Sequence, residues 1–300
     1  MPSHILGGPL PEPPAWGTLP LDVYLLEQRD APLRTSNPPI STDEAALLPL
    51  ESETLAERSK RLIRQFLALG QDGRQPCWTR ALDNTTQPTS EQIEQTLRPA
   101  RPESLRPYAY YSHPENGMWW RLCYDADEEK EHAALWEENT YATFVNDEGF
   151  LLDDKELFAD LTITQALELF PERVTNAVRW NHREWRKKIL AECLEDLEDC
   201  NPTEALKPEQ YGDYHAACVV THIFVEDRQA LETGDLLHVF LDDCGNVVRE
   251  WRTEEGADDE FDGGWFERGW KEDISGGRAE LGLDYQRGGS RGPPYTRGST

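Results

Sequence analysis

Residues 218–252 read CVVTHIFVEDRQALETGDLLHVFLDDCGNVVREWR, and this stretch decides the fold. Its first ten residues are rich in β-branched and aromatic side chains, which favour a pleated strand. Both faces of that strand are largely apolar, as expected of a central strand that is covered on both sides. Residues 227–234 then form a loop or a single helical turn. The stretch therefore predicts a β-meander that begins with a buried strand.

A hairpin follows this first strand. Residues 236–241 form its first arm, and Asp-Asp-Cys-Gly-Asn at 242–246 connects it to the second. Gly245 suits the left-handed position of a three-residue loop. The loop sets a register with three cross-strand pairs: Leu241 with Val247, Val239 with Arg249, and Leu237 with Trp251. A shift by one residue would exchange the two faces of the strand.

A second hairpin is predicted over residues 108–124, YAYYSHPENGMWWRLCY. Asn116-Gly117 marks its turn. Six of its residues are aromatic, and they are the candidate ligand-binding residues of this region, above all Tyr110, Trp119 and Trp120. The alternative interpretation is that one face of this hairpin packs in the core and the other is exposed.

Helices occupy separate stretches of the chain. A long amphipathic helix is predicted over 172–199, with an apolar stripe that includes Val178 and Trp185. A shorter helix is expected over 90–97, where Thr89 and Gln92 have the spacing of a capping box. Because helices and strands occur in separate runs, the fold class is α+β, with antiparallel hairpins covered by the long helix.

Composition divides the chain into three parts. Residues 1–50 hold ten of the 21 prolines and are expected to be mostly disordered, except that LDVYLL at 21–26 docks as an edge strand or a short helix. Residues 51–254 form a single α+β domain. Residues 255–300 hold eleven of the 21 glycines and form a disordered, acidic and aromatic tail.

The net charge of −27 limits the classes of partner. A surface of that sign repels phosphate backbones, which argues against general nucleic-acid binding, and it favours basic partners. The start of the chain has no signal peptide, and no apolar stretch approaches the roughly 18 residues that span a membrane. The cysteines show no zinc-site spacing. We therefore expect an acidic, soluble intracellular protein, cytoplasmic or also nuclear.

Three histidines are the candidate acid–base or metal-binding groups. His182 lies within the apolar stripe of the long helix, where a histidine can be a catalytic base or a hydrogen-bonded core residue. His222 and His238 lie in the meander, and the predicted register places His238 opposite Glu250. Sequence alone does not show that three ligands converge, so neither a metal nor a cofactor is predicted.

Two further groups of aromatic residues are candidate binding residues. Trp180 lies among basic residues of the long helix, where it would stack on a base or pack beneath another segment. Trp265 and Trp270 belong to the acidic segment 258–270, DDEFDGGWFERGW, whose composition is typical of segments that fold onto a partner. They would otherwise dock on the core of the same chain.

No motif in the sequence specifies a reaction. The chain has no Walker loop, no dinucleotide glycine fingerprint, no Gly-x-Ser-x-Gly elbow and no His-Glu-x-x-His. The leading hypothesis is a non-enzymatic binding module whose partner is another protein, reached through the acidic and aromatic tail. The alternative is an enzyme, hydrolase-like or metal-dependent, with a histidine and carboxylate pocket between the long helix and the sheet.

Overall fold

The computed structural model groups the chain into two compact units. The helical unit comprises residues 10–112 and 165–175, and the sheet unit comprises residues 1–9, 113–164 and 176–300. The structure describes residues 12–30, 53–83, 87–111, 118–125, 129–138, 150–175, 187–193, 195, 212–252, 280–286 and 289–291. In this part of the chain, no helix is long and apolar enough to cross a membrane.

The described part of the helical unit consists of short helices. They are Pro20–Asp30, Leu55–Ala68, Gly70–Leu82, Ser90–Gln92, Arg98–Ala100, Arg106–Tyr111 and most of Ile163–Leu169, with a π-helical turn at Ile93–Leu97 and 3-10 turns at Glu103–Leu105 and Pro171–Val174. The LDVYLL segment is helical, which settles the two alternatives for it. The capping box of Thr89 and Gln92 is confirmed, since each residue bonds the backbone of the other.

Buried arginines hold the helical unit together. Arg74 is fully buried and donates to the carbonyl oxygens of Phe66 (3.3 Å) and Leu67 (2.8 Å), which lie in the last turn of a helix. Arg106 is 1% exposed and donates to both carboxylate oxygens of Asp22, at 3.0 and 3.1 Å. Each guanidinium thus satisfies polar groups that would otherwise be costly to bury.

The sheet unit is built on one mixed sheet. Its strands are β1 (Met118–Arg121), β2 (Phe150–Leu152), β3 (Thr221–Glu226), β4 (Leu237–Leu241), β5 (Val247–Arg252) and β6 (Glu280–Leu281), in the order β2-β1-β3-β4-β5-β6. β3, β4 and β5 pair antiparallel in sequence, which confirms the predicted meander, and β6 pairs antiparallel with β5 in addition. Every residue of β3 is buried, as predicted for a central strand.

The predicted hairpin over residues 108–124 is wrong. Arg106–Tyr111 is helical, with Pro107 in its first turn, where proline is well tolerated. β1 pairs parallel with both β2 and β3, so the sheet is mixed and not purely antiparallel. Parallel neighbours need crossover connections, and a pattern that is local in sequence does not reveal them. The α+β class is therefore confirmed as a combination of helices and one mixed sheet.

The predicted register of the β4–β5 hairpin is correct only next to the turn. Leu241 pairs with Val247 as predicted, and Gly245 has the expected left-handed conformation with φ of 86°. An irregularity between Phe240 and Leu241 shifts the remaining pairs by one residue. His238 therefore lies opposite Trp251, and Glu250 lies opposite Val239, so the predicted pairing of His238 with Glu250 is wrong.

One face of the sheet carries an apolar core. It contains Phe224, Trp119 and Phe240 from three strands, together with Leu135 from the Glu129–Glu138 helix and Tyr285 from the C-terminal part of the unit. Short helices at Gly212–Cys218 and Arg228–Thr233 belong to the same unit. The second of these shows that the segment 227–234, for which a loop or a single helical turn is predicted, forms a short helix.

Part of the predicted long helix falls within the described residues. Pro171–Val174 is a 3-10 turn, and residues 187–193 are helical. Residues 176–186, 194 and 196–199 lie outside the described residues, so the long helix and its position over the sheet stay predictions. The domain boundaries drawn from composition stay predictions, and so does the disorder of the tails, except that residues 280–286 of the predicted C-terminal tail include a strand and a 3-10 turn of the sheet unit.

Candidate functional site

The carboxyl ends of the parallel strands bring charged side chains together in the sheet unit. Arg121, the last residue of β1, pairs with Glu226, the last residue of β3, and Asp153 follows the end of β2 directly. In the sheet, β1 has β2 as its neighbour on one side and β3 as its neighbour on the other, so the strand order reverses at β1. In open sheets with parallel strands, ligands bind at such a reversal of strand order, which makes this edge the first candidate site.

Glu226 is the centre of this edge. It is fully buried, and the indole Nε1 of Trp119 donates to its Oε2 over 2.9 Å. Nδ1 of His132 lies 2.9 Å from Oε1 and 2.8 Å from Oε2, and Nε of Arg121 lies 3.4 Å from Oε1. Three nitrogen groups thus surround one carboxylate, which compensates for its burial. We call these four residues the Glu226 centre.

Arg121 connects the Glu226 centre to two further carboxylates. Its guanidinium lies 2.9 Å from Glu129 and 3.5 Å from Asp153, and it stacks on the ring of Tyr124 at 4.7 Å. Burial acts to lower the pKa of Arg121, but the surrounding carboxylates outweigh it and raise that pKa. The hydrogen bond from Arg121 in turn lowers the pKa of Glu129. Arg121 therefore stays charged and fixes the positions of these groups.

His132 is the residue of the Glu226 centre that is best placed to bind a ligand or to exchange a proton with a substrate. It lies on the Glu129–Glu138 helix, and 11% of its side chain is exposed. A proton on Nδ1 would be donated to Glu226, which leaves Nε2 as the nitrogen for a ligand or a substrate. A carboxylate that orients a histidine through Nδ1 in this way occurs behind catalytic and metal-binding imidazoles.

A second candidate region is centred on Asp242, which is 1% exposed. Its carboxylate accepts from the backbone N–H groups of Cys244 and Asn246, at 2.8 and 2.9 Å. It also accepts from the hydroxyl of Tyr285 at 2.8 Å, and it lies 3.5 Å from the guanidinium of Arg291. Burial is the main cause that raises the pKa of Tyr285, and Asp242 adds to it. Asp242 therefore joins the hairpin turn to the C-terminal residues 280–291, which we call the strap.

One group among the described residues has the spacing of metal ligands. It consists of Asp242, Asp243 and Cys244, whose ligand atoms lie within 4.8 Å of one another. The carboxylate of Asp242, however, is already used by the turn and by the strap. The arrangement fits a structural role in the hairpin better than a metal site.

The structure brings two of the predicted catalytic residues of the meander, His222 and His238, together in the core, and it places the third, Glu250, elsewhere. His222 and His238 are 2% and 0% exposed, and Nε2 of the first lies 3.1 Å from Nδ1 of the second. His238 also stacks on Trp251 with ring centroids 4.7 Å apart. Burial lowers the pKa of His238 to about 3, so this imidazole is neutral at physiological pH. Glu250 lies apart from both, opposite Glu280 of β6.

The predicted binding residues are divided between the core and the undescribed parts of the chain. Trp119 and Trp120 are fully buried in β1. The side chain of Tyr110 and the residues His182, Trp180, Trp265 and Trp270 lie outside the described residues. A functional role for each of these residues stays a prediction.

Sequence reasoning missed Arg121 and His132. His132 stands among acidic residues in EEKEHAAL, which reads as an ordinary solvated helix, and it is separated from Glu226 by 94 positions. No short motif carries a contact over that distance. The only local signal was the position of Glu226 at the end of a buried strand.

No protein-family model, no curated protein and no solved structure matches this chain.

Proposed function

We propose that the chain is a non-enzymatic binding module whose partner is another protein, and that the partner binds as an extended segment at the β5 edge of the sheet unit. The strap supports this proposal, because it occupies that edge in the same manner. β6 pairs antiparallel with β5 at Arg249 and Glu250, and the N–H of Gly282 donates to the carbonyl of Val248 at 3.1 Å.

The strap combines backbone pairing with side-chain anchors. Its Tyr285 is 2% exposed and bonds Asp242, and its Arg291 lies beside the same carboxylate. Between the strap and β5 stand residues 253–279, so the strap reaches the edge from a distant point in the sequence. Recognition by strand addition uses these two elements, with backbone hydrogen bonds for affinity and buried side chains for specificity.

Two further observations agree with a binding function. His222 and His238 are packed in the sheet, where His222 stacks on Phe240 and His238 stacks on Trp251. The net charge of −27 favours basic protein partners. The acidic segment with Trp265 and Trp270 remains a proposed second contact, and no cofactor is proposed.

The test measures binding of the strap sequence as a separate peptide. In the full chain, Gly282→Ala would place a methyl group 1.9 Å from the carbonyl oxygen of Val247, which displaces the strap from β5. A labelled peptide of residues 280–291 should then bind this variant, with fluorescence anisotropy as the readout. The same peptide carrying Gly282→Ala is the control and should not bind. If neither peptide binds, the β5 edge is not a binding site.

A second candidate function is favoured by one observation, the pair formed by His132 and Glu226. In this alternative the chain is an enzyme with a histidine and carboxylate site, and His132 acts as acid or base through Nε2 while Glu226 orients its ring. This site differs from the predicted pocket, which relied on His182, His222 and His238.

The enzyme alternative predicts a ligand whose binding depends on His132. A thermal-melt screen of the full chain against metals, nucleotides and metabolites would detect it, because a ligand that binds the native state raises the midpoint. The rise should disappear in His132→Gln and persist in Glu131→Gln, a control at an exposed position of the same helix. A rise that persists in His132→Gln would exclude this site.

A further inference from the structure

Two glutamates oppose each other where the strap meets the sheet. Glu250 of β5 and Glu280 of β6 are paired directly across the antiparallel ladder. Directly opposed side chains of like charge destabilise a strand pair, whereas opposite charges stabilise it. β6 contributes only two residue pairs, so one of the two carries this repulsion.

Within the described part of the chain, the surroundings of Glu250 do not cancel the repulsion. Arg252, which acts to lower the pKa of Glu250, lies 2.5 Å from Asp227, and it also donates to the carbonyl of Asp235 at 3.1 Å. Burial raises the pKa of Glu250, Glu280 raises it further, and Asp227 adds to the effect, while Arg252 acts in the opposite direction. The position opposite Glu250 therefore favours a positive charge, and the strap supplies a negative one.

We infer that the natural occupant of the β5 edge is an extended segment of a partner protein that places a lysine or arginine opposite Glu250 and thereby displaces the strap. This inference rests on the proposed function and names the chemistry of the partner. β5 has six residues, and in the part of the strap that the structure describes β6 pairs with two of them while Gly282 bonds a third, so a longer segment would extend the pairing along β5. The strap acts as an internal competitor that keeps the edge covered until a basic segment arrives.

The experiment compares two peptides of residues 280–291 that differ in a single charge. One has the natural sequence and the other carries Glu280→Lys. Both are titrated into the full chain carrying Gly282→Ala, which vacates the edge, and binding is followed by anisotropy. The lysine peptide should bind roughly three- to tenfold more tightly, because it replaces a repulsive pair with an attractive one.

The charge of Glu250 should account for this preference. Addition of Glu250→Gln to the same variant should bring the two affinities together. Glu232→Gln, which removes the same charge at an exposed position of the Arg228–Thr233 helix, should leave the preference intact. Added salt should also reduce the preference, because it screens the charge pair.

The outcomes separate the two proposals. If both peptides bind equally well, the edge binds extended segments but does not select a basic one, and the inference made here is wrong. If neither binds, the proposed function fails at this edge as well. If Gly282→Ala unfolds the chain in a thermal melt, the wild-type chain is used, and loss of hydrogen-exchange protection at Tyr285 reports displacement of the strap by each peptide.

Discussion

Two buried histidines make the stability of the fold depend on pH. His215 and His238 are 4% and 0% exposed, and burial lowers their pKa values to about 4 and about 3. In the unfolded chain both would titrate near pH 6.5. The unfolded state therefore binds protons between pH 6.5 and 4 that the folded state does not bind.

We predict that the free energy of unfolding falls as the pH drops below about 6.5, by about 1.4 kcal/mol per pH unit for each of these histidines. His238→Asn removes one titrating group and keeps a polar atom near Nδ1 for His222. It should reduce the slope between pH 6 and 4, whatever it does to the stability at pH 7. Urea titrations at a series of pH values measure the slope, and an unchanged slope would contradict the buried, neutral state of His238.

The Glu226 centre predicts a large difference between two carboxylates that contact the same arginine. Glu226→Gln leaves the buried guanidinium of Arg121 without its fully buried counter-charge and weakens the acceptor for His132, which costs roughly 3–5 kcal/mol of stability. Glu129→Gln removes a partner whose side chain is 78% exposed, and it should cost less than about 1 kcal/mol. Denaturant unfolding of both variants provides the comparison. Equal losses of stability in the two variants would mean that the contribution of a carboxylate in this centre does not depend on its burial.

Among the elements, the β4–β5 hairpin depends on Asp242. Asp242→Ala removes the acceptor for two backbone groups of the turn and for Tyr285 of the strap. We expect a loss of roughly 2–4 kcal/mol and faster amide exchange in the strap, since each orphaned buried group costs about 1 kcal/mol or more. Asp243→Ala, the matched control in the same turn, should leave the exchange of the strap unchanged. Slow exchange in both variants would show that the strap does not depend on this anchor.

At the scale of the whole molecule, charge is the dominant property. A net charge of −27 acts against the compact state through self-repulsion, and salt screens it. We therefore predict that the melting midpoint rises between about 0.01 and 0.3 M sodium chloride, where the Debye length falls severalfold. An equal osmolality of sucrose serves as the control for non-ionic effects. A midpoint that falls with salt would show that internal ion pairs such as Arg121 with Glu226 outweigh the net charge.

The sequence alone determined the features that act over a few residues. Thr89 and Gln92 form the expected capping box, Gly245 turns the β4–β5 hairpin, and Asp227 and Gly234 cap the short helix between β3 and β4. In each case the stabilising hydrogen bond or backbone angle lies within the same turn, so the residue types specify it directly.

Only the tertiary structure decided the sheet type and the candidate site. The aromatic residues of 108–111 are helical, and β1 pairs parallel with β3, which lies about 100 positions along the chain, because tertiary packing outweighs local strand propensity. Glu226 meets His132 across 94 positions and Trp119 across 107. These contacts depend on how every intervening segment packs, and for that reason no window of the sequence contains them.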